Sequence, residues 1–157
     1  LNLPAAYFKA LACLECSGRL DMPKRFERHI FKRLKNVRDG QATNYEGVTT
    51  AMLHDANNEA LKNLATSWGP FQIMGYKCLH LSINVADLRG DKAVYWGMKW
   101  VQGEYARLLT KGRYRDAFHY HNAGRVYPDN KKPQTYDPNY VQNGLDYMQQ
   151  FSRQENE

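Results

Sequence analysis

Three cysteines in 157 residues, Cys13, Cys16 and Cys78, are too few, and odd in number, for a disulfide framework. Cys13-x-x-Cys16 has the spacing of a redox pair or half a zinc site. No second CxxC follows it and no strand-then-helix pattern precedes it, so small buried thiols are the expectation. No apolar run approaches the length of a membrane span, and no stable membrane insertion is expected. Basic residues never cluster in a run of five or more, which argues against a nucleic-acid-binding arm. Internal repeats and convincing strand alternation are also missing. The opening "LNLPAAYFKALACLECSG" has no basic leader and no small-residue cleavage site, so no signal peptide is read. A chain that begins without Met reads as a trimmed product or as one domain of a longer protein.

What is present suits a single globular domain over residues 1–157, long enough to bury a core. The net charge of +6 is spread along the chain and favours a polyanionic partner without choosing among nucleic acid, anionic lipid and cell wall. Hydrophobic spacing predicts a mainly α class with one long central helix. Residues 4–16 read as a helix capped by Asn2, with Pro4 in its first turn and Gly18 as its stop. Phe26, Ile30 and Leu34 mark a second helical stripe. Residues 36–48 read as a loop or a small irregular lobe with room for short strands. A third helix is capped by Thr49 or Thr50, with Leu53, Asn57, Ala60, Leu61 and Leu64 on its face. A short helix over Asn84–Leu88 follows. The long helix opens at Asp91, with Val94, Met98, Val101, Tyr105 and Leu108 in register. "RYRDAFHYHNAG" is a short helix closed by Gly124, residues 125–138 form a loop, and the last helix runs from Pro138 to about Phe151.

Several residues carry chemistry in this pattern. Glu15 lies near the end of an apolar helix, with Leu11 and Ala12 on its face. Apolar neighbours and the negative helix end both make its anion costly, which suits a general acid. A solvated helix-end glutamate is the plainer alternative. "YHNAG" places Tyr120 and Asn122 at a helix terminus, either to bind a polar ligand or as a simple stop. His119 and His121 are two apart and diverge on a helix, so metal binding by the pair is not expected. Glu27, Arg28 and His29 read as a charged face between Phe26 and Ile30, and His54 with Asp55 as an exposed face. Tyr95, Trp96, Trp100 and Tyr105 read as core, or in part as a sugar-stacking platform. "SWGPFQIMGY", Ser67 to Tyr76, reads as a buried turn before a short core helix, or as a turn built to meet a ligand.

In order along the chain, the helix-end Glu15 with Ser17-Gly18, then "SWGPFQIMGY", then "YHNAG" resemble the lysozyme-like superfamily, in its goose-type lysozyme and lytic transglycosylase branch. "FERHIFKRL" with "SWGPFQIMG" looks closest to the N-acetylmuramidase domain of phage endolysins, and the likeness covers about Leu3 to Phe151. The resemblance implies a lysozyme-like fold with a cleft between two helical lobes. It implies Glu15 as the general acid and Glu27 as a second carboxylate, with Glu46 and Asp55 behind it. Ser67, Gly69, Gln72 and Ile73 would form the cleft wall, with Gln72 bonding the ligand or the turn that holds it, and Tyr120 and Asn122 would close the other side. Cys16 stands where many relatives have a small residue, His121 interrupts the usual Tyr-Asn pair, and the loop 125–138 is longer than the family's.

The activity so implied is cleavage of the β-1,4 bond between N-acetylmuramic acid and N-acetylglucosamine in peptidoglycan. Lytic transglycosylation to a 1,6-anhydro end and a non-catalytic peptidoglycan-binding module are the alternatives. No cofactor and no metal are implied. The expected partner is the glycan strand, met by a monomer, with no nucleic acid. The expected place of action is the bacterial wall, after synthesis of a phage-encoded protein in the host cytoplasm or as part of a larger protein or virion.

Overall fold

The computed structural model describes residues 2–19 and 24–155. Among them the chain is mainly helical, with eight α-helices, one 3-10 turn and two small antiparallel sheets. It packs as two compact units. One joins Leu1–Arg19 to Val101–Glu157, and the other is Leu20–Trp100. No helix among the described residues is long and apolar enough to cross a membrane.

The first unit holds α1 (Ala5–Cys16), the second part of α6 (Ala93–Thr110), α7 (Tyr114–Ala123) and α8 (Tyr140–Gln154). Pro4 stands immediately before α1, so the helix begins one residue later than expected and Asn2 lies outside it. Its stop is a two-residue left-handed turn. Ser17, at φ 55°, takes that conformation first and Gly18 follows. The Gly18 N–H then returns to the Ala12 carbonyl at 3.0 Å, satisfying an end group that the helix leaves open. Tyr7 and Leu11 point inward with Phe118 of α7 and Val141 of α8. The Tyr7 and Phe118 rings stand 4.6 Å apart. Each such side chain removed from water contributes about 1.5–3 kcal/mol, which is what fixes α1 against α8.

The second unit holds β1 (Lys24–Phe26), α2 (Arg28–Arg38), β2 (Asn44–Tyr45), β3 (Val48–Thr49), α3 (Thr50–Leu53), α4 (Asn58–Leu64), β4 (Thr66–Trp68), β5 (Ile73–Met74), α5 (Lys77–Leu81), the 3-10 turn Val85–Leu88 and the start of α6. Here the sequence-based expectations need four corrections. Phe26 is not part of a helical stripe. It lies in β1 at 47% exposure, and the buried face of α2 is Ile30, Leu34 and Val37. The single helix expected over residues 50–64 is two. The Asn57 side chain accepts from the Ala60 N–H at 2.8 Å and so starts α4 afresh, the usual preference of asparagine for a cap over a helix interior.

The third correction concerns "SWGPFQIMGY", which is a β-hairpin and not a turn into a helix. Gly69 at φ 75° and Gln72 at φ 50° cannot sit in a right-handed helix, and between them the chain reverses. β4 then pairs with β1 on one side and β5 on the other, with Arg25 opposite Ser67 and Ser67 opposite Met74. The sheet was not legible because its strands are two or three residues long, too short for alternation to register. The short strands for which the irregular lobe over 36–48 left room are present as the β2–β3 hairpin, which follows the end of α2.

The fourth correction is the register of α6. Its buried ridge is Ala93, Gly97, Val101, Tyr105 and Leu109, spaced four apart, while Val94 is exposed. Val101 and Tyr105 of the expected ridge lie on it, while Val94, Met98 and Leu108 do not. Small side chains occupy the inward row where the Phe71 ring lies against Gly97. At Tyr105 the backbone leaves helical geometry, with φ −146° and ψ 26°.

Candidate active site

Glu15 sits on the last turn of α1 with its side chain 16% exposed. Leu11 and Ala12 were expected to surround its carboxyl. Polar groups from far along the chain do so instead. The Tyr140 hydroxyl, 125 residues away at the start of α8, donates to Glu15 Oε1. His121 Nε2 stands 3.8 Å from the same oxygen, with its side chain only 6% exposed. Behind His121 the network continues inward. Tyr105 Oη is 2.7 Å from His121 Nδ1, and the Tyr7 hydroxyl donates to Tyr105 Oη at 3.0 Å. Burial, first of all, raises the phenols of Tyr7, Tyr105 and Tyr140 well above the ordinary tyrosine value, and the Glu15 charge pushes each the same way. All three therefore keep their protons at neutral pH and remain donors.

Tyr120 and Asn122 lie on the same helix as His121. The Tyr120 ring tilts against Tyr105 at 5.4 Å, and its hydroxyl faces Glu104 Oε2 at 3.5 Å. Asn122 Oδ1 accepts the Tyr136 N–H at 3.1 Å, so this oxygen holds the 125–138 loop. Two further α7 residues on that face do the same work. Asp116 accepts the Tyr127 N–H, and His119 donates from Nδ1 to the Arg125 carbonyl at 2.7 Å while Nε2 accepts the Gln134 N–H at 3.0 Å. The two histidines diverge: His119 faces the loop and His121 faces Tyr105 and Glu15.

In the other unit Ser67, Gly69, Gln72 and Ile73 meet in the β4–β5 hairpin. The Ser67 hydroxyl donates to Gln72 Oε1 at 2.8 Å, and Gln72 Nε2 donates to the Gly69 carbonyl at 3.0 Å. Of the two bonds expected of Gln72, to the ligand or to its own turn, the second is made. The Gln72 backbone N–H reaches the same Gly69 carbonyl, so the amide locks the strained reversal twice. Gly69 cannot carry a side chain, because a Cβ there would lie 2.9 Å from the Leu88 carbonyl oxygen. Ile73 is buried and anchors the hairpin.

Glu27 precedes α2. Its Oε1 pairs with Arg25 Nε at 3.0 Å, and its Oε2 lies 3.7 Å from His29 Nδ1. Glu46 occupies the β2–β3 turn at φ 49°, its carbonyl bonded by His80 Nε2 at 2.9 Å. Asp55 is 90% exposed beside His54. Of the aromatics considered for sugar stacking, Tyr105 is core and Tyr95 is exposed, while Trp100 carries Lys77 Nζ over its ring at 4.3 Å.

The residues that sequence reasoning missed are Tyr7, Tyr140 and the partnership of His121. Nothing near Glu15 in the chain signals its direct neighbours, since Tyr140 and His121 come from other helices, and Tyr7, on the same helix, joins the group only through Tyr105. Among the described residues no cluster of three His, Cys, Asp or Glu side chains is arranged to hold a metal ion. Chemically, the Glu15 group is a partly buried carboxyl with one oxygen held by a phenol and an imidazole near it, an arrangement able to give and recover a proton. Comparison of the chain with protein-family models, with curated proteins and with solved structures finds no match.

Proposed function

We propose that the chain is a peptidoglycan N-acetylmuramidase of lysozyme-like architecture, with Glu15 as general acid. The observation that carries the reading is the setting of Glu15: a carboxyl at a helix end, 16% exposed, with Oε1 held by Tyr140 and flanked by His121. The motif order described above supports it independently. Glu15 protonates the glycosidic oxygen as an oxocarbenium-like centre develops on the muramic acid ring. The conjugate carboxylate formed in that step is received by the donors already in place.

A second reading shares Glu15 and differs in the nucleophile. Glu27, the first candidate to activate water for hydrolysis, pairs through Oε1 with Arg25 Nε at 3.0 Å. Attack by the sugar's own 6-hydroxyl, which leaves a 1,6-anhydro end, needs no second carboxylate. Mass spectrometry of muropeptides released from purified peptidoglycan decides the matter, because anhydro products lack one water. Glu15→Gln is expected to lower the rate of wall lysis by about 10²-fold or more. Equal lysis by mutant and wild type would remove Glu15 from the chemistry. Binding of wall without lysis by either would leave a peptidoglycan-binding module.

A further inference from the structure

We infer that His121 is a positioning residue for Glu15, held as its Nε2–H tautomer by the Tyr7–Tyr105 pair so that Oε1 is the anchored oxygen and Oε2 carries the transferable proton. The inference rests on the muramidase reading for its catalytic part and on hydrogen-bond accounting for its structural part. The Tyr7 hydroxyl donates to Tyr105 Oη, so the Tyr105 proton is free to be given onward. The imidazole nitrogen 2.7 Å away, His121 Nδ1, is placed to receive it. An Nδ1 that accepts leaves the hydrogen on Nε2, the nitrogen facing Glu15 Oε1.

Two donors then converge on a single carboxylate oxygen, Tyr140 from α8 and His121 from α7. Among the described residues Glu15 Oε2 has no such partner. A protonated carboxyl can satisfy both donors only by presenting its carbonyl oxygen to them, so the acidic hydrogen is directed to Oε2. At 3.8 Å the His121 contact is longer than a hydrogen bond, and contacts of this kind commonly close when substrate binds. The departure from helical geometry at Tyr105 falls on the residue that links the buried Tyr7 to His121. The sequence had marked His121 as an interruption of a Tyr-Asn pair. Its position gives that interruption a use.

Two measurements on the full chain test this. The first is nitrogen NMR of histidine-labelled protein at mildly alkaline pH, with the His121 signals identified by their loss in His121→Gln. Nε2 should carry the hydrogen and Nδ1 should be a bare acceptor, and Tyr105→Phe should release the ring into a mixture of tautomers. An Nδ1–H form in the wild type, or no change in Tyr105→Phe, overturns the relay. The second is the split between kcat and KM on soluble glycan. His121→Ala and His121→Asn should lose about tenfold or more in kcat with little change in KM. His121→Gln, whose amide nitrogen can take the place of Nε2, should keep most of it. Equal kcat in all three, or a loss confined to KM, overturns the positioning role. If the wild type cuts no glycan, the muramidase reading falls and takes the catalytic part with it, while the NMR result still decides the tautomer.

Discussion

At the scale of single residues, two kinds of constraint meet in this chain, one chemical and one steric. The chemical one is at Glu15, whose candidacy was readable from its place at a helix end. Its partners were not, because Tyr140 is 125 residues away and a phenol beginning a helix has no local signature. The steric one is at Gly75. A Cβ there would lie 2.1 Å from the Asn63 carbonyl oxygen and 2.9 Å from Leu64 Cα, both backbone atoms that cannot swing aside. Gly75→Ala should therefore cost about 3 kcal/mol, seen as a lower urea midpoint. Gly103→Ala, on an open face of α6 with nothing within 4 Å of the new methyl, should gain about 0.5–1 kcal/mol and serves as the control. An unchanged midpoint for Gly75→Ala would mean that β5 and α4 do not pack as described.

At the scale of elements, long helices were legible and short strands were not. α1, α7 and α8 repeat their apolar residues often enough for the period to be read, within about a residue of the true ends for α1 and α7 and within three for α8. The errors came where a local preference interrupted a plausible helix. Asn57 is the clearest case: on a helical wheel it joined the apolar face, yet its side chain accepts the Ala60 N–H and divides the helix. Asn57→Ala should remove about 1 kcal/mol of stability and fray α4, measurable as faster amide exchange at Ala60 and Leu61. Protection unchanged at those amides would count against the cap. The β4–β5 hairpin failed to register for a related reason. Its reversal depends on positive φ at Gln72, a non-glycine residue, and on an amide that bonds its own turn. Neither is a property of the residue type.

At the scale of the whole molecule, charge and burial make two predictions. On the muramidase proposal, a net charge of +6 should steer the approach to an anionic wall electrostatically, so lysis should slow as ionic strength rises. A rate flat across salt would dismiss the steering. The second concerns alkaline pH. Burial raises the Cys78 thiol from 9.0 to about 11, with Asp87 adding to it, and raises the Tyr7, Tyr105 and Tyr140 phenols well above 10.0. Each group binds its proton more tightly folded than unfolded, so on raising the pH the unfolded chain releases protons first. Stability is therefore whole at neutral pH and falls as pH climbs past about 9, by the difference in bound protons. Urea midpoints that hold level from pH 7 to 11 would contradict that burial. The sequence by itself determined the mainly helical class, the ends of the longer helices and the candidacy of Glu15, because periodicity, stops and helix position are local properties of the chain. Only the tertiary structure decided that α6 turns Ala93 and Gly97 inward, that β1, β4 and β5 form a sheet, and that Tyr140, His121, Tyr105 and Tyr7 gather behind one carboxylate. Those outcomes follow from close packing and from hydrogen bonds between separate elements, in the case of Tyr140 and Glu15 between residues 125 apart, which local periodicity does not register.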